Sequence, residues 1–408
     1  MKTVLANINF RRLWISQIAL ALGDALMQMG LLELFRVHGY DERAETAKIF
    51  FAVSLPALVL GPVAMVYLGR WQRRTVLMIS DGLRAVVVVG IVMWLLPLLA
   101  GRVDQQSLLM VYLGIGAIGV VATFYLPARS ALLPNLVEPA QLMKANTLFA
   151  TSMAIVTVGG RALGGFVAEH AGVPWAVSAN ALMYLVSVGL LARIQMNPHA
   201  TTVTETKVGG WSEFKTGLAY LWEHPTAMPL VMVSAVFAFL LGLLVVVFVG
   251  YAMDTLGLRT GGVGYLVAAA GIGAGIGIGL LGQGKPWTKS DWLPFAQLLL
   301  AAGALVALSF TTNVWRAALA VVVLGAVAST VMIYIDAKLQ AQIEDVRRGA
   351  VFAARGMLNS LTMLIAFWLQ FGSATFKRTP PPTVLFWLGI SAGVVAVVML
   401  VLSRRKRS

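Results

Sequence analysis

The chain has 408 residues, of which 59% are hydrophobic and 12% are charged, and its formal net charge is +14. This composition leaves too little polar surface to cover a water-soluble globule, so it indicates a protein whose solvent is lipid. Cys is absent, which excludes disulfides and Cys-ligated metals, and the four histidines show no ligand spacing. We therefore expect no metal and no cofactor.

Twelve apolar windows follow one another along the chain. Backbone amides must be paired inside hydrocarbon, and apolar runs of about twenty residues select helices for this purpose. The sequence therefore predicts an all-α membrane protein. The predicted spans are 13–37, 48–69, 75–97, 107–126, 144–168, 174–195, 227–252, 262–283, 293–311, 315–335, 350–374 and 383–402.

Basic residues are distributed unevenly between the loops on the two sides of these spans. With the N-terminus inside, 21 of the 31 Lys and Arg fall on the cytoplasmic side, 8 on the outer side and two within spans. Lys and Arg in short loops resist translocation, so we expect both termini in the cytoplasm. The first apolar run is too long for a cleavable signal peptide. The cations are dispersed and lack interleaved aromatics, which argues against nucleic acid as a partner.

Two polar hairpins interrupt the apolar pattern about half a chain apart, at 124–147 and 334–356. Each follows one hydrophobic span and precedes another, which is typical of a duplicated helical bundle. Apolar residues recur at helical spacing near the middle of the chain, from Trp211 to Trp222, and predict a short helix on the membrane interface. The predicted domains are an N-terminal six-helix bundle at 1–195, a cytoplasmic linker at 196–226 and a C-terminal six-helix bundle at 227–408.

Several short motifs resemble those of a known family. They are Gly23-Asp24 in span one, GPVAMVYLGRWQRRTVL at 61–77, DGLRA at 81–85, FYLPARSALLPNLV at 124–137, QLMKAN at 141–146 and ALGG at 162–165. In this order and spacing they resemble the major facilitator superfamily, and within it the branch of the enterobactin exporter and the macrolide efflux pumps. The resemblance implies two pseudo-symmetric six-helix bundles around a central cavity, lined by spans one, four, seven and ten. It also implies alternating access by rocking of the two halves.

The resemblance implies a gate at the cytoplasmic ends of the helices. Residues 61–77 resemble the signature loop that pins the inner ends of both domains, although Gly69 stands where that signature has Asp. Charged residues at the inner end of span three and in the two hairpins are assigned to the same network. The predicted gate residues are Arg70, Arg73, Arg74, Asp81, Arg84, Arg129, Asp336, Arg347 and Arg348. The alternative for the basic ones is solvated loop charge that only follows the positive-inside rule.

Arg161 lies within predicted span five and is expensive to bury unless it is paired or hydrated. Asp24 and Glu33 in span one are its predicted partners. A carboxylate that meets water from alternate sides can bind and release a proton, so we expect Asp24, Glu33 and Arg161 to couple transport to protons. The alternative is a permanent salt bridge that only holds spans one and five together.

The second half carries few ionisable groups at depth and many aromatic ones, as suits an amphipathic substrate. The predicted cavity residues are Gln28, Phe124, Phe237, Phe239, Tyr251, Met332, Tyr334 and Phe367.

No catalytic or nucleotide-binding motif is present, so we expect no enzyme. The sequence predicts a monomeric, multi-pass secondary transporter of a bacterial inner membrane. Its expected partners are lipid, protons and a small amphipathic compound, such as a drug or a siderophore, which it exports. Lysophospholipid transporters of the same superfamily share Gly-Asp and the proline-bearing hairpin, so lipid transport is the first alternative. A non-transporting membrane sensor or assembly factor is the second.

Overall fold

The computed structural model describes residues 2–68, 71–96, 104–138, 141–195, 210–223, 227–282, 293–343 and 345–405. Within these ranges every regular element is a helix, which confirms the predicted all-α class. The helices of the first half are α1 (Lys2–Ala6), α2 (Ile8–Val37), α3 (Glu42–Leu68), α4 (Arg73–Leu95), α5 (Gln105–Leu132), α6 (Leu142–His170) and α7 (Val173–Ala192). A linker helix, α8 (Gly210–Glu223), precedes the second half. The second half contains α9 (Met228–Gly250), α10 (Thr260–Gly282), α11 (Leu293–Ser309), α12 (Val314–Gln342), α13 (Asp345–Gly372), the short α14 (Ala374–Arg378) and α15 (Pro381–Arg405).

The long helices coincide with the twelve predicted spans. Of the described helices, ten are long and apolar enough to cross a bilayer, and α11 and α15 contain shorter apolar stretches, at Ala296–Ser309 and Pro381–Val397. The fold therefore supplies one helix for every apolar window of the sequence.

Polar residues begin several of these helices. The Asn7 side chain accepts from the backbone N–H of Asn9 and Phe10 at 3.0 and 3.1 Å and so caps α2. Asp104 caps α5, where the backbone N–H and the hydroxyl of Ser107 donate to its Oδ1 at 2.8 and 2.6 Å. These hydrogen bonds lower the pKa of the Asp104 carboxyl. These capping hydrogen bonds set the residues at which α2 and α5 begin.

Helix packing repeats between the two halves. In the first half α2 packs on α6 and α7, α4 packs on α5 and α7, and α3 packs on α5. In the second half α9 packs on α13 and α15, α11 packs on α12 and α15, and α10 packs on α12. The two sets of pairs correspond helix by helix in chain order. This correspondence is the pseudo-symmetry of two six-helix bundles.

The bundle has two ends, which we name by their contents. The linker end is the end at which α2 begins, α8 lies and α15 ends, and the far end is the end at which α2 ends and α3 begins. The linker helix α8 packs on α13 and α3, with Leu221 fully buried and Trp222 80% exposed. A short helix was predicted here, and its buried face shows that it also docks against the helices.

Each half has its own apolar core. The first surrounds Phe10, Phe35 and Tyr184, and the second surrounds Tyr251 and Leu308. Met29 and Leu32 of α2 belong to the second core. The far third of α2 therefore packs across the boundary between the halves.

Candidate functional site

Asp24 lies at the middle of α2, and its carboxylate is held by helix α7. The hydroxyl of Tyr184 donates to Asp24 Oδ1 at 2.7 Å, and the amide of Asn180 approaches the same oxygen at 3.4 Å. The Asp24 residue is nevertheless exposed, although α2 packs on α6, α7 and α10. The carboxylate therefore lies at mid-depth between two neutral donors of α7.

A buried ion pair lies on α4, against α5 and α7. The guanidinium of Arg84 is 3.5 Å from Asp81 Oδ1, and the hydroxyl of Ser187 donates to Asp81 Oδ2 at 2.6 Å. Arg84 also lies over the rings of Tyr125 and Tyr184, at 4.7 and 5.8 Å from their centroids. Among the described residues, Asp81 Oδ1 and Arg84 Nε are buried without an aligned hydrogen bond.

Asp81 and Arg84 lie inside the first half in this conformation, and their assignment to the cytoplasmic gate stays a prediction. Asp81 is fully buried and Arg84 is 6% exposed, so both face the interior of the first half. The spacing of three residues put both side chains on one face of α4, as expected, but that face packs on α5 and α7. Through Tyr184, the pair is connected to the site of Asp24.

The polar line continues toward the linker end. The amide of Gln17 donates to the hydroxyl of Tyr125, and Arg129 Nη1 donates to Gln17 Oε1 at 3.4 Å. Because Tyr125 lies under Arg84, polar groups run from Asp24 at mid-depth to Arg129 on the last turn of α5.

Arg161 does not pair with the carboxylates that were predicted as its partners. Its Nε donates to Gln28 Oε1 at 2.8 Å, and Asp24 is held by α7 instead. Glu33 accepts from Arg36 Nε at 2.9 Å and from the hydroxyl of Thr260 at 2.5 Å. The predicted pairing is therefore wrong for this conformation, because a neutral amide one turn beyond Asp24 is the group of α2 that meets Arg161.

Glycines bring the far-end parts of α6 and α10 into backbone contact. A Cβ placed on Gly165 would lie 2.8 Å from Gly261 Cα, and one placed on Gly264 would lie 2.5 Å from the Arg161 carbonyl oxygen. Next to them, Glu169 of α6 accepts from the Gly261 backbone N–H at 3.3 Å. The carboxylate thus meets the N-terminus of α10, where the helix dipole favours negative charge.

Aromatic side chains close the opposite edge of the same end. Phe50 of α3 stacks on Phe367 of α13 with ring centroids 5.3 Å apart, and Phe51 meets Phe371 at 5.5 Å. Arg43 Nη1 donates to the Thr379 carbonyl at 3.0 Å. Among the described residues, these contacts hold the two halves together at the far end.

Two of the remaining gate residues, Arg74 and Asp336, have separate partners. Arg74 donates from Nε to the Leu191 carbonyl at 2.9 Å and so binds the C-terminus of α7 within its own half. Asp336 pairs with Arg355 of α13. Arg73 is half-buried and Arg347 is exposed. Arg70 and the side chain of Arg348 lie outside the described residues.

Two predicted cavity residues lie elsewhere in this conformation. Tyr251 is fully buried in the second core, and its hydroxyl donates to the Thr311 carbonyl at 2.8 Å near the far end. Phe367 is fully buried in the aromatic contact with Phe50. In this conformation both rings fill contacts between helices and exclude water there, and their assignment to the substrate cavity stays a prediction.

The other predicted cavity residues are dispersed. Phe124 packs near Trp71, at 6.3 Å between ring centroids, and Phe237 lines a narrow apolar pocket inside the second half. Met332 Sδ accepts from Arg355 at 3.5 Å, and Lys338 Nζ lies 5.7 Å from the Tyr334 ring centroid. Phe239 is half-buried against the second core.

Sequence reasoning missed several polar residues of the interior. Arg355, which is 6% exposed, donates from Nε to the Ser234 hydroxyl at 2.8 Å, and the Asn359 amide donates to the same hydroxyl at 2.8 Å. In the first half, Asn180, Tyr184 and Ser187 were missed, although a spacing of four and then three residues places them on one face of an otherwise apolar span. That spacing was the available signal.

Two pseudo-symmetric bundles of apolar helices, with a carboxylate at the middle of one span, are typical of membrane transport proteins. The family model of the Major Facilitator Superfamily matches residues 13–366, and the chain belongs to that family. The narrower resemblance to the enterobactin and macrolide exporters stays a prediction.

Known proteins resemble the chain at both the sequence and the structural level. It is 27% identical over 399 residues to the uncharacterized MFS-type transporter Rv0037c of Mycobacterium tuberculosis, covering 89% of this chain and 82% of that protein. It is 28% identical over 210 residues to the putative bacilysin exporter BacE of Bacillus subtilis, covering 52% of this chain and 50% of that protein.

Among solved structures, a bacterial homologue of the iron transporter ferroportin in an inward-facing state matches with a TM-score of 0.73 at 15% identity, over 96% of this chain and 98% of that one. The nucleoside transporter NupG matches with a TM-score of 0.70 at 13% identity, over 97% and 99%. These structural similarities show that the chain shares the overall fold of the two solved proteins.

Proposed function

We propose that the protein exports a small amphipathic compound across a bacterial inner membrane in exchange for protons, as a monomer. The observation that carries the proposal is a carboxylate, that of Asp24, at the middle of α2, a helix long and apolar enough to span a bilayer. A carboxylate is costly within a membrane unless it has a function or a partner. Asp24 is held by two neutral groups, Tyr184 and Asn180, and this arrangement leaves its charge free to change with its proton.

The direction of transport rests on topology and on one relative. Lys and Arg are concentrated in the loops of the linker end, so this end is the cytoplasmic one. The conformation closed at the far end then faces inward, ready to take substrate from the cytoplasm. BacE, which matches half of the chain, carries the name of a putative exporter.

Chemically different walls support an amphipathic substrate. The first half carries Asp24 and Gln28, whereas α12 carries the half-buried Met332 and Tyr334. We expect a ligand that contacts both halves to meet polar groups on the first and aromatic and thioether groups on the second. Protonation of Asp24 from the far side and deprotonation toward the linker side would drive each cycle.

The test is transport in proteoliposomes with and without an imposed pH gradient, using a fluorescent amphipathic cation and a macrolide as solutes. Asp24→Asn should abolish the stimulation by the gradient while the protein stays folded. Asp104→Asn is the matched control, since Asn caps a helix as well as Asp does and this position lies outside the membrane spans. Stimulation that persists in Asp24→Asn removes this residue from the coupling mechanism. Movement of lysophospholipid without any effect of the gradient would support the lipid alternative instead.

A further inference from the structure

A crevice separates α5 from α6 at the linker end of the first half. It has a volume of about 270 Å³ and is lined by Arg129 and Ser130 of α5, Leu142, Asn146 and Phe149 of α6, and the connection between these helices at Leu133. We call it the Arg129 crevice. It lies apart from Asp24, and hydrogen bonds through Gln17 connect its Arg129 to Tyr125, which belongs to the polar line that reaches Asp24.

The packing of the two helices explains why a space is left between them. Helix α5 packs on α3 and α4, whereas α6 packs on α2, α7 and α10. The two helices are consecutive in the chain but bound to different neighbours, and a turn at Leu133–Asn135 spans the gap between them. The crevice is therefore a product of the fold at the linker end of the first half.

Arg129 brings a positive charge into this crevice, and no described carboxylate pairs with it. Its guanidinium lies 5.6 Å from the centroid of the Phe149 ring and donates one long hydrogen bond, of 3.4 Å, to the neutral Gln17. Across the described part of the chain, no carboxylate forms an ion pair with it. A guanidinium carries five N–H donors in a planar fork that fits carboxylate and phosphate groups, so most of its binding capacity is unused.

The rest of the lining divides by polarity. The Ser130 hydroxyl and the Asn146 amide stand on the walls with Arg129, and Leu133, Leu142 and Phe149 provide apolar surface. A ligand with an anionic group next to a hydrocarbon part would satisfy both kinds of wall. A compact hydrophilic anion would leave the apolar part without contact.

We propose that the Arg129 crevice binds the anionic group, a carboxylate or a phosphate, of an amphipathic ligand that arrives from the linker end. Arg129 holds the anion, Ser130 and Asn146 donate to it, and Phe149 contacts the adjoining hydrocarbon. This inference rests on the proposed function in one respect, since it assigns the substrate class to an amphipathic anion. The ligand has two possible sources, a transported solute and an anionic membrane lipid, and the experiment separates them.

The experiment measures binding of dodecyl phosphate to the full-length protein in nanodiscs of phosphatidylcholine, with dodecyltrimethylammonium and inorganic phosphate as comparison probes. Dodecyl phosphate should bind more tightly than either of them. Arg129→Gln should weaken this binding roughly 10- to 100-fold, the factor expected for loss of a charge-assisted hydrogen bond. Arg129→Lys should weaken the binding of dodecyl phosphate less, because Lys keeps the positive charge and loses only the planar set of guanidinium donors. Arg378→Gln removes an exposed arginine of α14, at the far end, and should leave binding unchanged.

Several results would overturn the proposal. Equal affinity of the wild type for the phosphate and the ammonium amphiphile would do so, and so would unchanged binding in Arg129→Gln. If Arg129→Gln does not fold, the salt dependence of binding to the wild type tests the proposal instead. A site that binds through charge must lose affinity for dodecyl phosphate as the salt concentration rises, and an affinity independent of salt would contradict it. Phosphatidylglycerol in the nanodiscs should compete with the probe if the natural ligand is lipid, whereas gradient-driven transport of dodecyl phosphate identifies it as a solute. Binding that survives in Asp24→Asn while transport is lost would separate this site from the coupling step.

Discussion

Gly165 of α6 and Gly261 of α10 lie in backbone contact across the two halves of the protein, so that a Cβ on Gly165 would stand 2.8 Å from Gly261 Cα. The two halves can approach this closely only where neither residue has a side chain. The contact belongs to the closed far end, together with the Phe50–Phe367 stack on the other edge. One side chain added at the Gly165–Gly261 contact should therefore weaken the closure of the far end.

Gly165→Val should open the far end. Overpacking of this kind costs about 1 to 3 kcal/mol, which is roughly a 5- to 100-fold shift between closed and open conformations. The chain contains no Cys, so Ala47→Cys introduces a single thiol. Ala47 is fully buried next to the stacked rings of Phe50 and Phe367, and its rate of maleimide labelling therefore reports opening of the far end. Gly159→Val is the control on the same helix, because a Cβ there meets nothing within 4 Å. Equal labelling rates in the two variants would contradict the role of the glycine contact.

Glu169→Gln should also weaken the contact between α6 and α10 at the far end, but to a smaller extent. The carboxylate of Glu169 accepts from the first turn of α10 at Gly261 and lies 3.5 Å from the guanidinium of Arg259. Neutralising a charge at a helix N-terminus costs about 0.3 to 1 kcal/mol, so labelling of Ala47→Cys should rise roughly two- to fivefold. Glu138→Gln, an exposed change at the opposite end, should have no effect.

The fold followed from the sequence further than the site did. Apolar windows predict helices in lipid because the bilayer fixes both their length and their polarity, so all twelve spans were found. The pairing of polar groups was harder to predict from the sequence. Within ten residues of α2, Asp24, Gln28 and Glu33 meet three different helices, α7, α6 and α10. Periodicity gives the relative angle of these side chains, but the helix that each one meets depends on the packing of the whole bundle.

Removal of one member of the buried Asp81–Arg84 pair should be more harmful than removal of both charges. The side chains are 0% and 7% exposed, so Asp81→Asn leaves Arg84 as a buried charge without its counter-charge. The expected loss of stability is about 3 to 5 kcal/mol, and the double variant Asp81→Asn, Arg84→Gln should recover part of it. Thermal unfolding in detergent gives the four values of the cycle. If the single and double variants lose stability additively, the two side chains are not coupled.

Tyr184→Phe isolates the group that positions Asp24. The substitution removes one hydroxyl, and with it the 2.7 Å hydrogen bond, while the ring remains in the core of the first half. A hydrogen bond to a charged group contributes about 1.5 to 3 kcal/mol, so gradient-driven transport should slow roughly tenfold or more. Tyr265→Phe on α10 is the control, since that side chain is 59% exposed and its hydroxyl is far less constrained. A positioning role also requires that Tyr184→Phe add little to the defect of Asp24→Asn, because the hydroxyl acts only through that carboxylate. If transport in the double variant falls well below that of Asp24→Asn, Tyr184 acts by another route, such as its contact with Arg84.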